Sequence, residues 1–244
     1  MSALYDSIGK SYNFSRRTDP RLAAVLHDRL GHAEAILNIG AGAGSYEPDD
    51  RSVVAAEPSA TMLAQRSDDA APAVQAVAER LPFASNSFDA AMAVLTIHHW
   101  SDWRLGIGEA LRVAQGRLAL LTWTGFPAGF WLLDYFPEIE AVDAPVFPTI
   151  EELASCMGKV TVDLLPIPAD CLDGMLCAYW QRPEFYLDSK VRQGMSIFSK
   201  LDQVEARISQ LAEDLNSGEW HRRNSDLLAQ DAADYGYRVV SCGL

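Results

Sequence analysis

Residues Ile36-Leu37-Asn38-Ile39-Gly40-Ala41-Gly42-Ala43-Gly44-Ser45 carry an apolar run straight into three glycines at alternate positions. Seventeen residues after Gly40, a second apolar run, Val53-Val54-Ala55-Ala56, ends in Glu57. The apolar runs predict strands. The glycines predict a turn whose backbone approaches a ligand with no Cβ in the way. A carboxylate at the end of the following strand accepts two hydrogen bonds from a ribose diol. Parts in this order describe a fold built around a nucleoside.

The spacing separates two cofactor classes. A dinucleotide loop reads G-x-G-x-x-G and opens a helix whose N-terminus holds a pyrophosphate. Here the third glycine comes one place early, and Ser45 stands where that loop wants glycine or alanine. Only Tyr46 to Arg51 precede the next strand, with Pro48 among them, which leaves about one or two helical turns. A pyrophosphate would lose its dipole support there, whereas S-adenosylmethionine (SAM) has no phosphate and loses little. The loop therefore favours SAM over NAD(P) or FAD. Two alternatives stay open: a SAM-binding protein that transfers no methyl group, such as a regulatory subunit or cyclase, and an NAD(P)-dependent oxidoreductase.

The rest of the chain predicts a doubly wound α/β sheet. Asp19-Pro20 caps a helix with Leu22, Val25, Leu26 and Leu30 on one face and Gly31 at its end. Strands are expected at Ala35–Ile39, Val53–Glu57, Val74–Val77, Ser87–Leu95 and Arg117–Thr124. Ser59 caps a short helix holding Met62 and Leu63, and Ser101 caps a helix over Trp103–Ala114. After Thr124 the alternation breaks. Residues 125–158 are rich in aromatics and prolines, Val160–Ile167 predicts a sixth strand, and 168–235 reads mostly as helix. Within it Leu201, Val204, Ile208, Leu211 and Leu215 form a stripe expected to pack in the core rather than to serve as a dimer seam. Tyr237–Ser241 predicts a closing strand. The whole is expected to be one domain, with a core over 33–124 and a helical cap from segments 125–158 and 168–235.

Composition narrows the partners. A net charge of −13 repels phosphate backbones and argues against a nucleic-acid substrate. The longest apolar run, Ala90 to Ile97, is too short to span a bilayer, and the first residues lack the basic and apolar regions of a signal peptide. Cys156, Cys171, Cys177 and Cys242 show no metal spacing. A cytoplasmic enzyme with reduced thiols, no membrane partner and no metal is expected, as a monomer or homodimer.

Five motifs, in register, carry a family resemblance across residues 33–124. Asn38-Ile-Gly-Ala-Gly-Ala-Gly, Glu57-Pro58-Ser59-Ala60-Thr61-Met62, Ala78-Glu79-Arg80-Leu81-Pro82-Phe83 followed by Ser87-Phe88-Asp89, and Glu109-Ala-Leu-Arg112-Val113 resemble the class I SAM-dependent methyltransferases, within the subgroup that includes the ubiquinone and menaquinone biosynthesis enzymes. The resemblance implies a Rossmann-like, mostly parallel seven-stranded sheet with a helical cap. It also implies roles. Gly40, Ala41 and Gly42 would lie against the methionine part of SAM, and Leu95 and Thr96 would border it. Glu57 would hold the ribose hydroxyls. Pro58 and Met62 would sandwich adenine, with a backbone contact from Ala78 and Glu79 close by. Tyr12, Arg16 and Arg17 are placed to close over the cofactor. Two departures stand out: Asn38 replaces the usual acid of the first strand, and Val77 replaces an aspartate that commonly bonds the adenine amine.

Methyl transfer from a sulfonium is an in-line displacement, so such an enzyme mainly aligns and desolvates. A hydroxyl acceptor still gains from a base. His98 and His99 follow the fourth strand directly, where loops carry the site in this architecture, and are the candidates. Either contacts substrate, or both are structural. The aromatic segments beyond Thr124 suit a small apolar or aromatic acceptor. Trp131, Tyr135, Tyr179 and Trp180 are expected in its chamber.

Overall fold

The structure, a computed structural model, describes residues 16–243. In chain order its elements are α1 (Pro20–Asp28), β1 (Ala35–Ile39), β2 (Ser52–Ala56), α2 (Ala60–Leu63), β3 (Ala73–Val74), β4 (Ala90–Val94), α3 (Trp103–Val113), β5 (Leu118–Trp123), α4 (Glu138–Asp143), α5 (Ile150–Met157), β6 (Thr161–Leu164), β7 (Ile167–Pro168), α6 (Ser189–Gln193), α7 (Val204–Ser217), α8 (Glu219–Arg223), β8 (Ala232–Ala233) and β9 (Tyr237–Cys242). Seven strands form one sheet in the order β3-β2-β1-β4-β5-β9-β6. The first five are parallel, and β9 runs antiparallel between β5 and β6. The direction of winding reverses between β1 and β4. Such a switch point opens a crevice at the carboxyl ends of the strands.

Buried on both faces, β1, β4 and β5 carry apolar residues almost without interruption. On one face Leu37, Ala91 and Leu120 pack under α3 and α5, through Ile107, Ala110, Val113 and Leu153. On the other, Ile36, Met92 and Leu121 meet Leu22 and Leu26 of α1 and a large aromatic cap. Asp19 caps α1 by accepting the Arg21 N–H at 3.0 Å. Its other carboxylate oxygen accepts the Leu172 N–H at 3.0 Å, so the helix start also pins the cap. The stripe on α7 packs inward: Ile208 and Leu211 are buried, and Leu201, Val204 and Leu215 lie against the same core.

Several expected bounds move. Asp102, not Ser101, caps α3, accepting the Leu105 N–H at 3.1 Å. Its backbone is extended there, and the carboxylate reaches the first helical turn. β3 stops at Val74, and β4 begins only at Ala90, after a turn at Asn86, φ +57. The expected sixth strand divides. Thr161–Leu164 pairs with β9, whereas Ile167–Pro168 pairs with β8; Pro166 lies between and has no N–H to continue a ladder. Residues 169–182 are not helical. Side-chain bonds hold that stretch instead: Arg182 donates to the carbonyls of Cys171 and Ala178 at 2.8 and 2.9 Å. Between β1 and β2 no helix forms at all; the chain crosses in turns. Among the described residues no helix is long and apolar enough to cross a membrane.

Candidate active site

The glycine loop is fastened to the end of β2. The N–H groups of Gly40 and Ala41 both donate to the Ala56 carbonyl, at 2.8 and 3.2 Å. Gly40, at φ +66, has no room for a side chain: a Cβ would lie 2.1 Å from Thr96 Oγ1. The loop after β4 therefore rests directly on the loop after β1, and this contact fixes both. Gly42 is also left-handed, at φ +54, but a Cβ there would meet only the terminal methyl of Met62, at 3.3 Å.

Glu57 is 5% exposed. One carboxylate oxygen accepts the Gly42 N–H at 2.9 Å and the other accepts the Ser59 N–H at 2.8 Å. Two amides thus hold the carboxylate in one orientation. Met62, on α2, is buried behind the loop, with Ser59 capping its helix. Pro58 is part-exposed beside them, and Ala78 is buried. Glu79 turns away to accept the Asp102 N–H at 3.0 Å.

A pocket of about 70 Å³ opens at the carboxyl ends of β4 and β5, lined by Leu95 and Trp123, by His98, and from the cap by Phe147, Met175 and Ile197, with Arg16 and Asp143 among its polar members. His98 stacks on Phe147, with ring centroids 4.1 Å apart, and abuts His99 at 3.8 Å. Its Nδ1 is buried and has no hydrogen-bond partner among the described residues. Burial holds His98 well below its ordinary pKa, and His99, Lys200 and Arg16 nearby push the same way. His99 is lowered to about 4, again chiefly by burial and then by Lys200 and Arg16. Both rings are neutral at pH 7. Asp143 pairs with Lys200 at 3.5 Å, and burial raises its pKa. Arg16 is held by Asp173, Nε to Oδ1 at 2.5 Å, and the Tyr46 hydroxyl donates to the other oxygen of Asp173 at 2.9 Å.

A family model described as a methyltransferase domain matches residues 37–120, the span from the first strand through the fifth. A methyltransferase assigned to an antibiotic biosynthesis pathway of Anabaena variabilis is 31% identical, with a TM-score of 0.87; the match covers 94% of this chain and 99% of that one. The chain belongs to the class I SAM-dependent methyltransferases. More distant structures share the fold. Phosphoethanolamine N-methyltransferase 2 of Haemonchus contortus, solved with SAM, is 16% identical over 97% of this chain and 57% of that one, at a TM-score of 0.57. The YcgJ protein of Bacillus subtilis is 19% identical over 91% and 96%, at 0.54. No curated protein matches at a significant level.

As a methyltransferase the chain takes SAM as its cofactor, and its residues fit that group: two left-handed glycines leave the backbone bare, and a buried carboxylate is already oriented beside them. Of the residues expected around SAM, Gly40, Ala41, Gly42, Glu57, Pro58 and Met62 converge on the loop, with Thr96 touching it and Leu95 linking it to the pocket. Arg16 lines the pocket, whereas Arg17 is exposed. Tyr12 lies outside the described residues. Of the two histidines, His98 lines the pocket. The four aromatics expected in the acceptor chamber are packed elsewhere. Trp180 is fully buried and its indole N–H donates to the Ile167 carbonyl at 3.1 Å. The Trp131 indole donates to the Trp180 carbonyl at 2.8 Å. Tyr135 bonds Asp214 at 2.5 Å, and Tyr179 stacks on Phe185 at 4.6 Å. Trp131 and Tyr135 each tie one cap segment to the other. Their aromatic density reflects a cap that must build its own core, and the cap side of the pocket is lined by Phe147, Met175, Met195 and Ile197 instead. The Glu47–Arg66 ion pair under the loop, 2.8 Å long, was missed; nothing in the local sequence marks it.

Proposed function

We propose that this methyltransferase moves the SAM methyl group to a hydroxyl of a small apolar or aromatic metabolite in the cytoplasm, without a metal. The observation that carries the reading is His98: a neutral imidazole on the wall of a mostly apolar-lined pocket. SAM, when bound, supplies a methyl on a sulfonium. Glu57 takes the ribose hydroxyls. Pro58 and Met62 flank adenine near the Ala78 backbone, and Gly40, Ala41, Gly42, Leu95 and Thr96 border the methionine end. Arg16, steadied by Asp173, places positive charge at the pocket, toward the cofactor's carboxylate.

The acceptor then lies beside the His98–Phe147 stack, against Met175. Trp123 and Ile197 exclude water from it, which favours transfer between a cation and a neutral nucleophile. His98 accepts the hydroxyl proton as the bond to carbon forms. Its depressed pKa makes it a weak base but keeps it unprotonated well below neutral pH. The antibiotic-pathway relationship of the Anabaena protein supports a small-molecule acceptor, and the charge of −13 supports the exclusion of nucleic acid.

S-adenosylhomocysteine production, measured over a panel of phenols and matched amines, tests this. A phenol is expected to turn over, and H98N is expected to lower its rate by about 10²–10⁴-fold with SAM binding intact. Turnover confined to amines and indifferent to H98N overturns it.

A further inference from the structure

One wall of the pocket carries an acid that its surroundings oppose. Asp143 is the last residue of α4, and a carboxylate is disfavoured at a helix C-terminus, where the free carbonyls are already negative. Its side chain is only 15% exposed, and it lines the pocket beside Phe147, Met175 and Ile197. Burial acts against its charge, and Lys200 acts for it. Acids are seldom buried unless closely paired. Among the described residues this side chain pairs with Lys200 at 3.5 Å, a looser contact than the about 2.8 Å of a close charge-assisted bond. Lys200 ends the segment Ser196–Lys200 and is not among the residues that line the pocket. An ionised carboxylate has room for several donors. A loose partner outside the cavity leaves part of that capacity to the cavity itself.

Asp143 and His98 meet at the same ring. The Phe147 N–H donates to the Asp143 carbonyl at 3.3 Å, and the Phe147 ring stacks on His98 at 4.1 Å. A small molecule lying against that stack has the imidazole and the acid at its edge. Arg16, which also lines the pocket, is already answered: its Nε and Nη2 donate to Asp173 at 2.5 and 3.2 Å. The field here is positive, since Lys200 and Arg16 both push His98 and His99 below their ordinary pKa. A cationic amine would be repelled by that field. A neutral hydroxyl donates to the acid without that penalty.

We propose that Asp143 selects the acceptor: its carboxylate receives a second hydroxyl of the molecule whose reacting hydroxyl lies at His98, so the acceptor class is a small aromatic carrying two hydroxyl groups. This selection rests on hydroxyl transfer at His98. The apolar wall takes the ring, His98 takes the proton of the reacting hydroxyl, and Asp143 fixes which way round the ring lies. One hydroxyl rather than the other is thereby turned toward the methyl donor. A site built to bond a hydroxyl discriminates against the analogue that lacks it, because its own polar group is then left unanswered.

Catechol, resorcinol and hydroquinone, each paired with the cresol in which a methyl replaces the second hydroxyl, test the assignment. Two assays are used: S-adenosylhomocysteine release in steady-state kinetics, and calorimetric binding to the enzyme loaded with S-adenosylhomocysteine. At least one diphenol is expected to exceed its cresol by about tenfold or more in kcat/KM and in affinity, as one charge-assisted hydrogen bond provides. D143L is expected to shrink that ratio to within about threefold, with the loss in KM rather than kcat. D143N is expected to retain part of it, because an amide carbonyl still accepts. K200M is expected to keep most of it. Thermal melts establish that each variant folds, and D143N serves if D143L does not. A wild-type enzyme with no preference, equal losses of diphenol and cresol in D143L, or a ratio abolished as fully by K200M as by D143L would make the ion pair a brace between two cap segments and overturn the assignment. The reading beneath it fails separately. If no phenol turns over while the binding preference and its loss in D143L persist, hydroxyl transfer is removed and Asp143 stands as the selecting residue; neither binding nor turnover removes both.

Discussion

Replacing Gly40 with alanine measures how tightly the two loops of the cofactor site are joined. The residue sits at φ +66, and its Cβ would lie 2.1 Å from Thr96 Oγ1 and 2.8 Å from Thr96 Cβ. The backbone conformation alone costs an L-residue about 1–2 kcal/mol. Forcing a methyl into occupied space adds about 1–3 kcal/mol. The sum, about 2–5 kcal/mol, corresponds to a fall in melting temperature of roughly 5–15 °C for a chain of this size. Thr96 cannot escape by rotating, because its Cβ is itself too close. The steric part is therefore expected to vanish when position 96 is also emptied: against a T96G background, G40A should cost only the conformational part, about 1–2 kcal/mol. G42A gives a control. It carries the same conformational cost, but its neighbour is a flexible methionine end at 3.3 Å, so it should resemble G40A in the T96G background. Urea denaturation of the four-member cycle reads all of this. If G40A costs the same in both backgrounds to within about 0.5 kcal/mol, the two loops do not bear on each other as described.

Three further outcomes are expected. E57A should weaken SAM by about 1.5–3 kcal/mol in calorimetry and also lower stability, since the carboxylate holds the Gly42 and Ser59 amides; unchanged affinity in a folded variant would contradict its role. His99 titrates near 4 when folded and near 6.5 when unfolded, so its contribution to stability is complete above pH 6.5 and is lost as pH falls toward 4. The loss is at most about 3 kcal/mol, and H99Q should flatten the acid limb of a stability–pH curve; a parallel curve would refute it. W180A should destabilise by about 3–5 kcal/mol with acceptor KM unchanged in the folded fraction, whereas F147A should raise acceptor KM and leave SAM affinity intact, steady-state kinetics distinguishing the two.

Local chemistry made the first half of the chain legible. Ala35–Ile39 and its glycines, the Asp19-Pro20 helix start and the Ser59 cap are each decided by neighbours within about five residues, and each lies where the sequence puts it. The cap was not legible for the opposite reason. Residues 169–182 are held by Arg182 and by indole bonds to carbonyls more than ten residues away, so no periodicity records them. An aromatic cluster looks the same in sequence whether it faces a ligand or faces itself. In the site, Glu57 was readable because a strand end is a fixed address. Glu47 was not, since its importance comes from Arg66, nineteen residues on.

The missing helix between β1 and β2 bears on competition. ATP and NAD share with SAM the adenosyl group that Glu57, Pro58 and Met62 are proposed to hold, and a nucleoside site exposed to a mixture meets all three ligands. What separates them is the tail. A helix start would attract a phosphate tail; here the chain offers turns, a buried ion pair and a surplus of negative charge. Lacking that element, the shortened crossing from Gly44 to Ser52 is expected to act as a filter against phosphate-bearing nucleotides.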